Sequence, residues 1–406
     1  MDRLCRFHRP GRKRNIMKAI ISGAGIAGLS TAIALGRAGW TVTLLEKAPS
    51  LRAGGYMLDF FGPGYEAAED LGVIAALKAH ARGVDKVDFV NGTGRIGSQM
   101  DYEQIGAAAG GKLFPILRGD IEQVLHDALP DSAVVRYASE IASFDNSDRG
   151  VAVTLADGGS LEADLLVGAD GIHSAVRHMA FGPEERFLRY LGFHTAAYFF
   201  DSAAVAKMLA GDFKMMAIRD RMVGLYEVDP GRIMAFFVIR DDSRERPQDP
   251  LPRLKAAFGD LGWVLPETLA GAPGPEDIYY DVVAQVEMAH WQSQRTVLVG
   301  DAAYAVSLMA GQGASLALAG GRALGQVLDG AVDIAAALAR FEQDLRPLVL
   351  EKQRAGRRMA KWFVPATPFH AAIRDTSVNI MTWPPLSGLL NRFFSFSSKG
   401  FSLSSH

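Results

Sequence analysis

The chain has 406 residues, too many for one hydrophobic core, so two or three domains are expected. Apolar residues make up 49% and charged residues 22%, as in soluble globular proteins, and a formal net charge of -2 offers no basic excess for holding nucleic acid. The single cysteine, Cys5, excludes an intramolecular disulfide and any cysteine-based metal site or redox pair, and points to a cytoplasmic setting.

Residues 1–16 are rich in Arg and Lys and lack the apolar run of a secretory signal, so they read as a disordered leader with Met17 as the working start. No stretch reaches the ~18 uninterrupted apolar residues of a membrane span. Residues 18–23 read as a short buried strand. Residues 26–38 read as a helix, with apolar positions three and four apart, and 41–46 as a second strand. Together they form a βαβ unit. A helix is expected over 118–129, then strands over 134–137, 151–155 and 161–167. The Asp157-Gly158-Gly159 turn makes a hairpin of the last two. Over 182–285 short strands at 198–200, 215–219, 222–228 and 233–239 are parted by turns such as Asp229-Pro230-Gly231, which reads as a mostly antiparallel lobe. Residues 296–300 return to the buried parallel type. A helix follows over 313–329, then a long helical stretch over 332–362 that Pro347 is expected to bend. The tail is rich in Phe, Pro and Ser and shows no periodicity, and there is no internal repeat.

Three segments carry chemistry. The first is Gly23-Ala24-Gly25-Ile26-Ala27-Gly28, after a strand and opening a helix. Gly23 permits the tight turn, Gly25 lets the backbone approach a pyrophosphate, and Gly28 lets helix and strand pack closely. The helix N-terminus turns free N–H groups to the phosphates. Glu46 ends the second strand 18 residues after Gly28, followed by Lys47, where a carboxylate can accept from adenosine ribose hydroxyls. The motif does not separate FAD from NAD. The second segment runs from a buried strand into Asp170-Gly171-Ile172-His173-Ser174. Taken alone it is equally a strand-to-helix turn with Ser174 as N-cap. The third is Gly300-Asp301 at the end of a buried strand, then Gly311-Gln312-Gly313-Ala314 opening a long helix. Asp301 can accept from a polyol hydroxyl, and the positive helix end can face a ring that becomes negative on reduction.

The three motifs, in this order and over about residues 18–330, resemble the FAD-dependent aromatic hydroxylases typified by p-hydroxybenzoate hydroxylase. The look is closest to the tetracycline-modifying and polyketide-tailoring branch. The resemblance implies a Rossmann-like α/β FAD-binding domain, an inserted, mostly antiparallel substrate domain and a long C-terminal helix. The parts are then 17–78, 104–181 and 286–330 for FAD, 79–103 and 182–285 for substrate, and 331–406 for the C-terminal helical region. It also implies a monooxygenase in which NAD(P)H reduces FAD, O2 gives a flavin C4a-hydroperoxide, and one oxygen atom reaches a small molecule, as in secondary metabolism or antibiotic modification. Arg52 through Asp59 resembles the family segment beside the flavin ring, and Arg118 the family's cofactor-contacting arginine at a helix start. Tyr304 and Val306-Ser307-Leu308-Met309 depart from the family, which more often has His and a proline-containing segment there.

No acid–base triad is called for, because the cofactor carries the chemistry. None of the nine histidines has metal-ligand spacing, and no metal is expected. Met215, Tyr226, Met234 and Phe236 are the candidate substrate-lining residues, with Met216 and Phe237 beside them; strand alternation lets only about half point inward. Such a lining suits an apolar or aromatic molecule. A monomer or homodimer is expected. Two other readings stay open: an FAD reductase or dehydrogenase of the same fold, and a non-catalytic protein that sequesters flavin and a metabolite. A halogenase is disfavoured by the lack of a WxWxIP-like segment.

Overall fold

The computed structural model describes residues 16–51, 55–307, 311–367 and Thr376. Among them, eighteen strands form four sheets. The first sheet grows from the βαβ unit: β1 (Lys18–Ser22), α1 (Ile26–Arg37) and β2 (Thr41–Leu45). Its order is β17-β18-β11-β1-β2-β7, with β7 (Ala133–Arg136), β11 (Leu165–Gly168), β17 (Gln292–Ser293) and β18 (Thr296–Leu298). All its pairings are parallel except that of the edge strand β17. The central strands are continuous apolar runs because they are buried in one core with α1 and with Val151, Val153 and Leu155 of a small β-sheet.

The long helix α11 (Gly313–Leu328) lies on α1 at close range. A Cβ at Gly321 would fall 2.3 Å from Ser30 Oγ, and one at Gly325 2.4 Å from Ala34 Cβ. Ten of the twelve residues of α1 are buried, so it sits between sheet and helix and shows no polar stripe. Helices α2 (Pro63–Asp70) and α3 (Ile74–Ala79) and the ribbon of β3 (Met57–Phe61) with β6 (Leu113–Leu117) complete this side, with α5 (Arg118–Asp127) leading from β6 back towards the sheet.

The sheet of β8 (Ile141–Asn146), β9 (Val151–Leu155) and β10 (Ser160–Ala163) hangs from its end. The strand expected over 161–167 is split in two at Asp164. Lys18 N–H donates to the Asp164 carboxylate (2.8 Å) and Asp164 N–H to Lys18 C=O (2.9 Å), so the chain leaves the hairpin there and enters the parallel sheet.

The second large sheet has seven strands in the order β16-β12-β15-β14-β13-β4-β5. Two, β4 (Lys86–Val90) and β5 (Ile96–Asp101), come from early in the chain. The others are β12 (Leu188–Asp201), β13 (Phe213–Ile218), β14 (Arg221–Asp229), β15 (Arg232–Arg240) and β16 (Tyr279–Val286). Only β4–β13 is parallel. Helix α4 (Tyr102–Ala108) follows β5, and α6 (Ala175–Phe181) follows β11. Three helices close one face: α7 (Ala203–Leu209), α8 (Leu251–Phe258) and α9 (Leu265–Ala270). Sequence reading placed no helix here, because six to eight residues show too few turns for a period of 3.6 to stand out.

Helix α12 (Ile334–Phe363) joins the two parts. Ile334, Leu338, Phe341 and Leu345 enter the core around the parallel sheet, and Ala360 enters the core against the seven-stranded one. Pro347 stands inside this helix without interrupting it. Its lost hydrogen bond costs about 3 kcal/mol, which the buried apolar face offsets. No described helix is long and apolar enough to cross a membrane.

Candidate functional site

Parallel register brings the three motifs to one edge. Ser22 lies beside Gly168 and Leu45, and Gly168 beside Leu298, so Gly23, Glu46, Asp170 and Asp301 all leave the carboxyl ends of their strands. Ligands of open α/β sheets bind outside that edge. Glycines knit the motifs together. Gly23 has φ +99°, and a Cβ on it would strike Ala169 C=O at 2.5 Å. A Cβ on Gly28 would lie 1.9 Å from Gly23 C=O, so this helix start admits no side chain. Gly300 has φ +68° and turns the chain into the short helix α10 (Asp301–Tyr304) against Ala27.

Helix α1 begins at Gly25 with no side-chain cap and no acid in its first turn, and α11 begins at Gln312 likewise. A Cβ on Gly25 would meet only Glu122 at 3.6 Å and Arg118 at 3.9 Å. A Cβ on Gly313 would stand 3.8 Å from Asp301 Oδ1. Gln312 is buried, and its Oε1 accepts no hydrogen bond among the described residues. Ala314 packs partly buried against the core, Gly311 has φ +62°, and Ile26 and Ala27 are buried in the first turn of α1. Two uncapped helix ends, a glycine cradle and an orphaned amide oxygen suit the phosphates and ring of a dinucleotide.

Around this edge stands a group of polar side chains. Arg118 opens α5 and pairs with Glu122 four residues on (3.1 Å). Burial works against its charge, but Tyr56, Glu122, Asp301 and Tyr279 hold its pKa above the ordinary arginine value. Asp301 is open to solvent at the sheet edge, yet the protein around it raises its carboxyl above the usual range, with Arg118 opposing. Burial likewise raises Tyr56, whose hydroxyl hydrogen-bonds Arg118.

The other expected residues have protein partners. Ala24 N–H and Ala48 N–H each donate to Glu46, both at 2.9 Å, so the acid already ties the glycine turn to the end of β2. Lys47 beside it is exposed. Asp170 accepts from Ser174 Oγ (2.5 Å) and Val176 N–H (3.0 Å), holding the start of α6. Asp59 accepts from the Tyr102 hydroxyl. Arg52, residues 1–15, 308–310 and nearly all of the tail lie outside the described residues. No group of His, Cys, Asp and Glu that could hold a metal occurs among the described residues.

Strand alternation sorts the candidate lining. Met215 faces Gly224, Gly224 faces Phe236, and Tyr226 faces Met234, so the four candidates share one face of the sheet. Tyr226 and Met234 pack with Leu117, Tyr56 and Met57 from the other part of the chain. Met216 and Phe237 point to the opposite face, under α7–α9. Met57 N–H donates to the Tyr226 oxygen, and burial holds that phenol above its ordinary pKa.

Sequence reading did not single out Tyr56, Glu122 or Tyr279. The spacing of Arg118 and Glu122 is a helical signal; Tyr279 is placed only by the pairing of β16 with β12.

The model of the FAD binding domain family matches residues 17–338. The chain belongs to this family. A flavin-dependent monooxygenase from an unknown prokaryotic organism is 30% identical, over 90% of this chain and 94% of its own length. An uncharacterized protein of Mycobacterium tuberculosis (strain ATCC 25618 / H37Rv) is 32% identical over 77% and 85%. Among solved structures, tetracycline destructase Tet(55) is similar with a TM-score of 0.80 and 27% identity, covering 96% of this chain and 99% of that one. The protein is thus an FAD-dependent enzyme of the monooxygenase family, aromatic hydroxylase type.

This flavoenzyme carries a titratable link between its parts. His173 Nδ1 lies 3.0 Å from Glu184, and its Nε2 lies 3.1 Å from Asp281 on β16. Arg246 Nη1 stands 3.0 Å from the same Nε2 and 3.4 Å from Asp281. The bond to Asp281, with Glu184 adding, raises the His173 pKa above 6.5. Burial raises Asp281, but His173 and Arg246 outweigh it and leave its carboxyl below 3.8. The His173 contribution is full below the unfolded value and fades as pH rises through the raised one. The Asp281 contribution fades as pH falls through the lowered one. The stability lost in His173→Gln should therefore be greatest in mildly acidic solution, about 1 kcal/mol after solvent screening. It should shrink on the alkaline side, where neutral His173 accepts from Arg246. Urea unfolding of both proteins across pH checks this; a difference that grows with rising pH would refute it.

Proposed function

We propose that the enzyme consumes NAD(P)H and O2 and places one oxygen atom on an apolar, aromatic or polyketide-like small molecule. The observation that carries this is the shared sheet face. Met215, Tyr226, Met234 and Phe236 lie on the same side as Tyr279, which neighbours Arg118 and Asp301 at the dinucleotide edge. Residues 79–103 and 182–285 then serve as the substrate part, and the remainder up to residue 330 holds FAD. In this reading Gly23, Gly25, Ile26, Ala27 and Gly28 take the pyrophosphate, with Glu46 holding the turn at the adenosine end. Arg118, Asp301, Gly311, Gln312, Gly313 and Ala314 take the ribityl chain and ring. Bound FAD would supply the electron transfer and O2 activation that side chains cannot.

The protein's own part is orientation and dryness. Tyr226 spends its oxygen on Met57 N–H and stays protonated, so its O–H can donate to a substrate carbonyl or phenol. Met234, Phe236 and Met215 offer apolar contact and no charge. The names of the similar proteins, a flavin-dependent monooxygenase and a tetracycline destructase, support a polycyclic or phenolic substrate.

The test is a screen of phenols and polyketides for substrate-stimulated NADPH or NADH oxidation under labelled O2. One labelled oxygen atom per product is expected. Substrate conversion that proceeds equally well without O2 would replace this reading with the reductase.

A further inference from the structure

A cavity of about 200 Å³ lies between α12 and the link from β16 to β17, apart from the sheet face and the glycine edge. Its floor is apolar and aromatic. Trp291 and Tyr304 are both nearly fully buried, with ring centroids 4.8 Å apart. Val349 of α12 and Met288 close the sides. Its rim is cationic: Arg346, Arg354 and Arg357 recur at helical spacing on one face of α12, and Arg189 approaches from β12.

The partners of these four do not balance them. Arg189 and Arg357 share one carboxylate, Glu287, at 3.1 and 3.0 Å. Arg346 pairs with Glu342 (2.5 Å), donates to Met288 and Ala289 C=O, and lies over Trp291 with 4.7 Å to the ring centre. Arg354 makes no ion pair or hydrogen bond among the described residues. Among the described residues, four guanidinium groups thus meet two carboxylates. Like charges gathered around one hollow repel one another, and an anion there relieves this. A guanidinium fork is matched to a carboxylate or phosphate, and the apolar lining of Met288, Val349 and Leu350 favours an occupant with an apolar body.

We propose that this cavity is a second binding site, for a small organic anion with an aromatic or flat apolar body. Its volume, that of about six or seven waters, suits one ring with its acid group. The site is wired to the chain next to the flavin motif. Gln353 Nε2 donates to Val286 C=O (2.8 Å) and Ala305 C=O (3.2 Å), and Gln285 Nε2 donates to Val306 C=O (2.9 Å). Arg357 in turn donates to Gln285 Oε1 (2.7 Å). A ligand held by Arg357 over Tyr304 therefore touches the segment between Asp301 and Gly311.

The experiment is calorimetric titration of the FAD-loaded protein with salicylate, its neutral analogue salicyl alcohol, and inorganic phosphate. Titrated into Met234→Trp, whose sheet face is blocked, salicylate should bind at one site, with phosphate and the alcohol each about tenfold weaker or more. Arg354→Gln should weaken salicylate by a similar factor without changing FAD content, and Arg354→Lys should recover part of it. Met234→Trp, on the sheet face, should leave salicylate affinity unchanged. No saturable binding of salicylate, or an affinity indifferent to Arg354→Gln, overturns the proposal. Loss of binding in Met234→Trp would overturn it too, by placing the anion on the sheet face. None of these readouts requires turnover, so the result stands apart from the proposed reaction.

Discussion

Asp301→Ala is expected to fold normally and to purify with little FAD. The carboxylate sits where Gly300, at φ +68°, turns the chain off β18, and it accepts no hydrogen bond among the described residues. The fold therefore loses no described hydrogen bond when it is removed. Open to solvent at the sheet edge, the carboxylate is placed to accept from a ligand's hydroxyl groups. A hydrogen bond to a charged group contributes about 1.5–3 kcal/mol, so FAD affinity should fall by roughly 10- to 150-fold. Asp301→Asn, which keeps an acceptor without the charge, should fall less. The ratio of flavin to protein absorbance and the FAD affinity of stripped protein measure this, with far-ultraviolet circular dichroism as the check on folding. Full FAD occupancy in Asp301→Ala would remove Asp301 from the cofactor site.

The second large effect is expected on coupling. Gly313 begins α11, a sixteen-residue helix whose N-terminus has neither a side-chain cap nor an acid in its first turn. Such an end carries roughly half a positive charge and would stabilise negative charge on a reduced ring. A β-carbon at Gly313 makes ordinary contact with Asp301 at 3.8 Å, so alanine fits. The two further methyl groups of valine extend into the space beside Asp301. Gly313→Val should keep part of its FAD, hold the ring off the helix end and admit water. Activated oxygen then escapes as H2O2 before it is transferred. Expected is a clear rise in H2O2 released per NAD(P)H consumed, with Gly313→Ala close to the wild type. An unchanged ratio with FAD bound would mean that this helix start does not border the reacting face.

Much of the glycine-rich edge was legible because its constraints are local. A turn at φ +99° favours glycine, and a helix start 1.9 Å from a backbone carbonyl leaves no room for a side chain; both lie within six residues. The 3.6 period of α1 and the alternation along β13, β14 and β15 are local as well. Alternation alone divides Met234 and Phe236 from Phe237, and register then adds Met215 and Tyr226 to the first face. What sequence could not supply is anything set by two distant segments. Tyr279 joins Arg118 because β16 pairs with β12, and Asp281 meets His173 across 108 residues for the same reason. Asp164 splits a run of strand-forming residues because the first residue of β1 claims it. Pro347 stands inside α12, which continues through it because two separate cores hold its apolar positions. Arg346, Arg354 and Arg357 share one face of α12 by local spacing, but only the fold brings that face to Trp291 and Tyr304 around a cavity. Sterics and periodicity act between neighbours and are written in order along the chain. Charge balance, burial and pairing act through space, and for this flavoenzyme only the tertiary structure decided them.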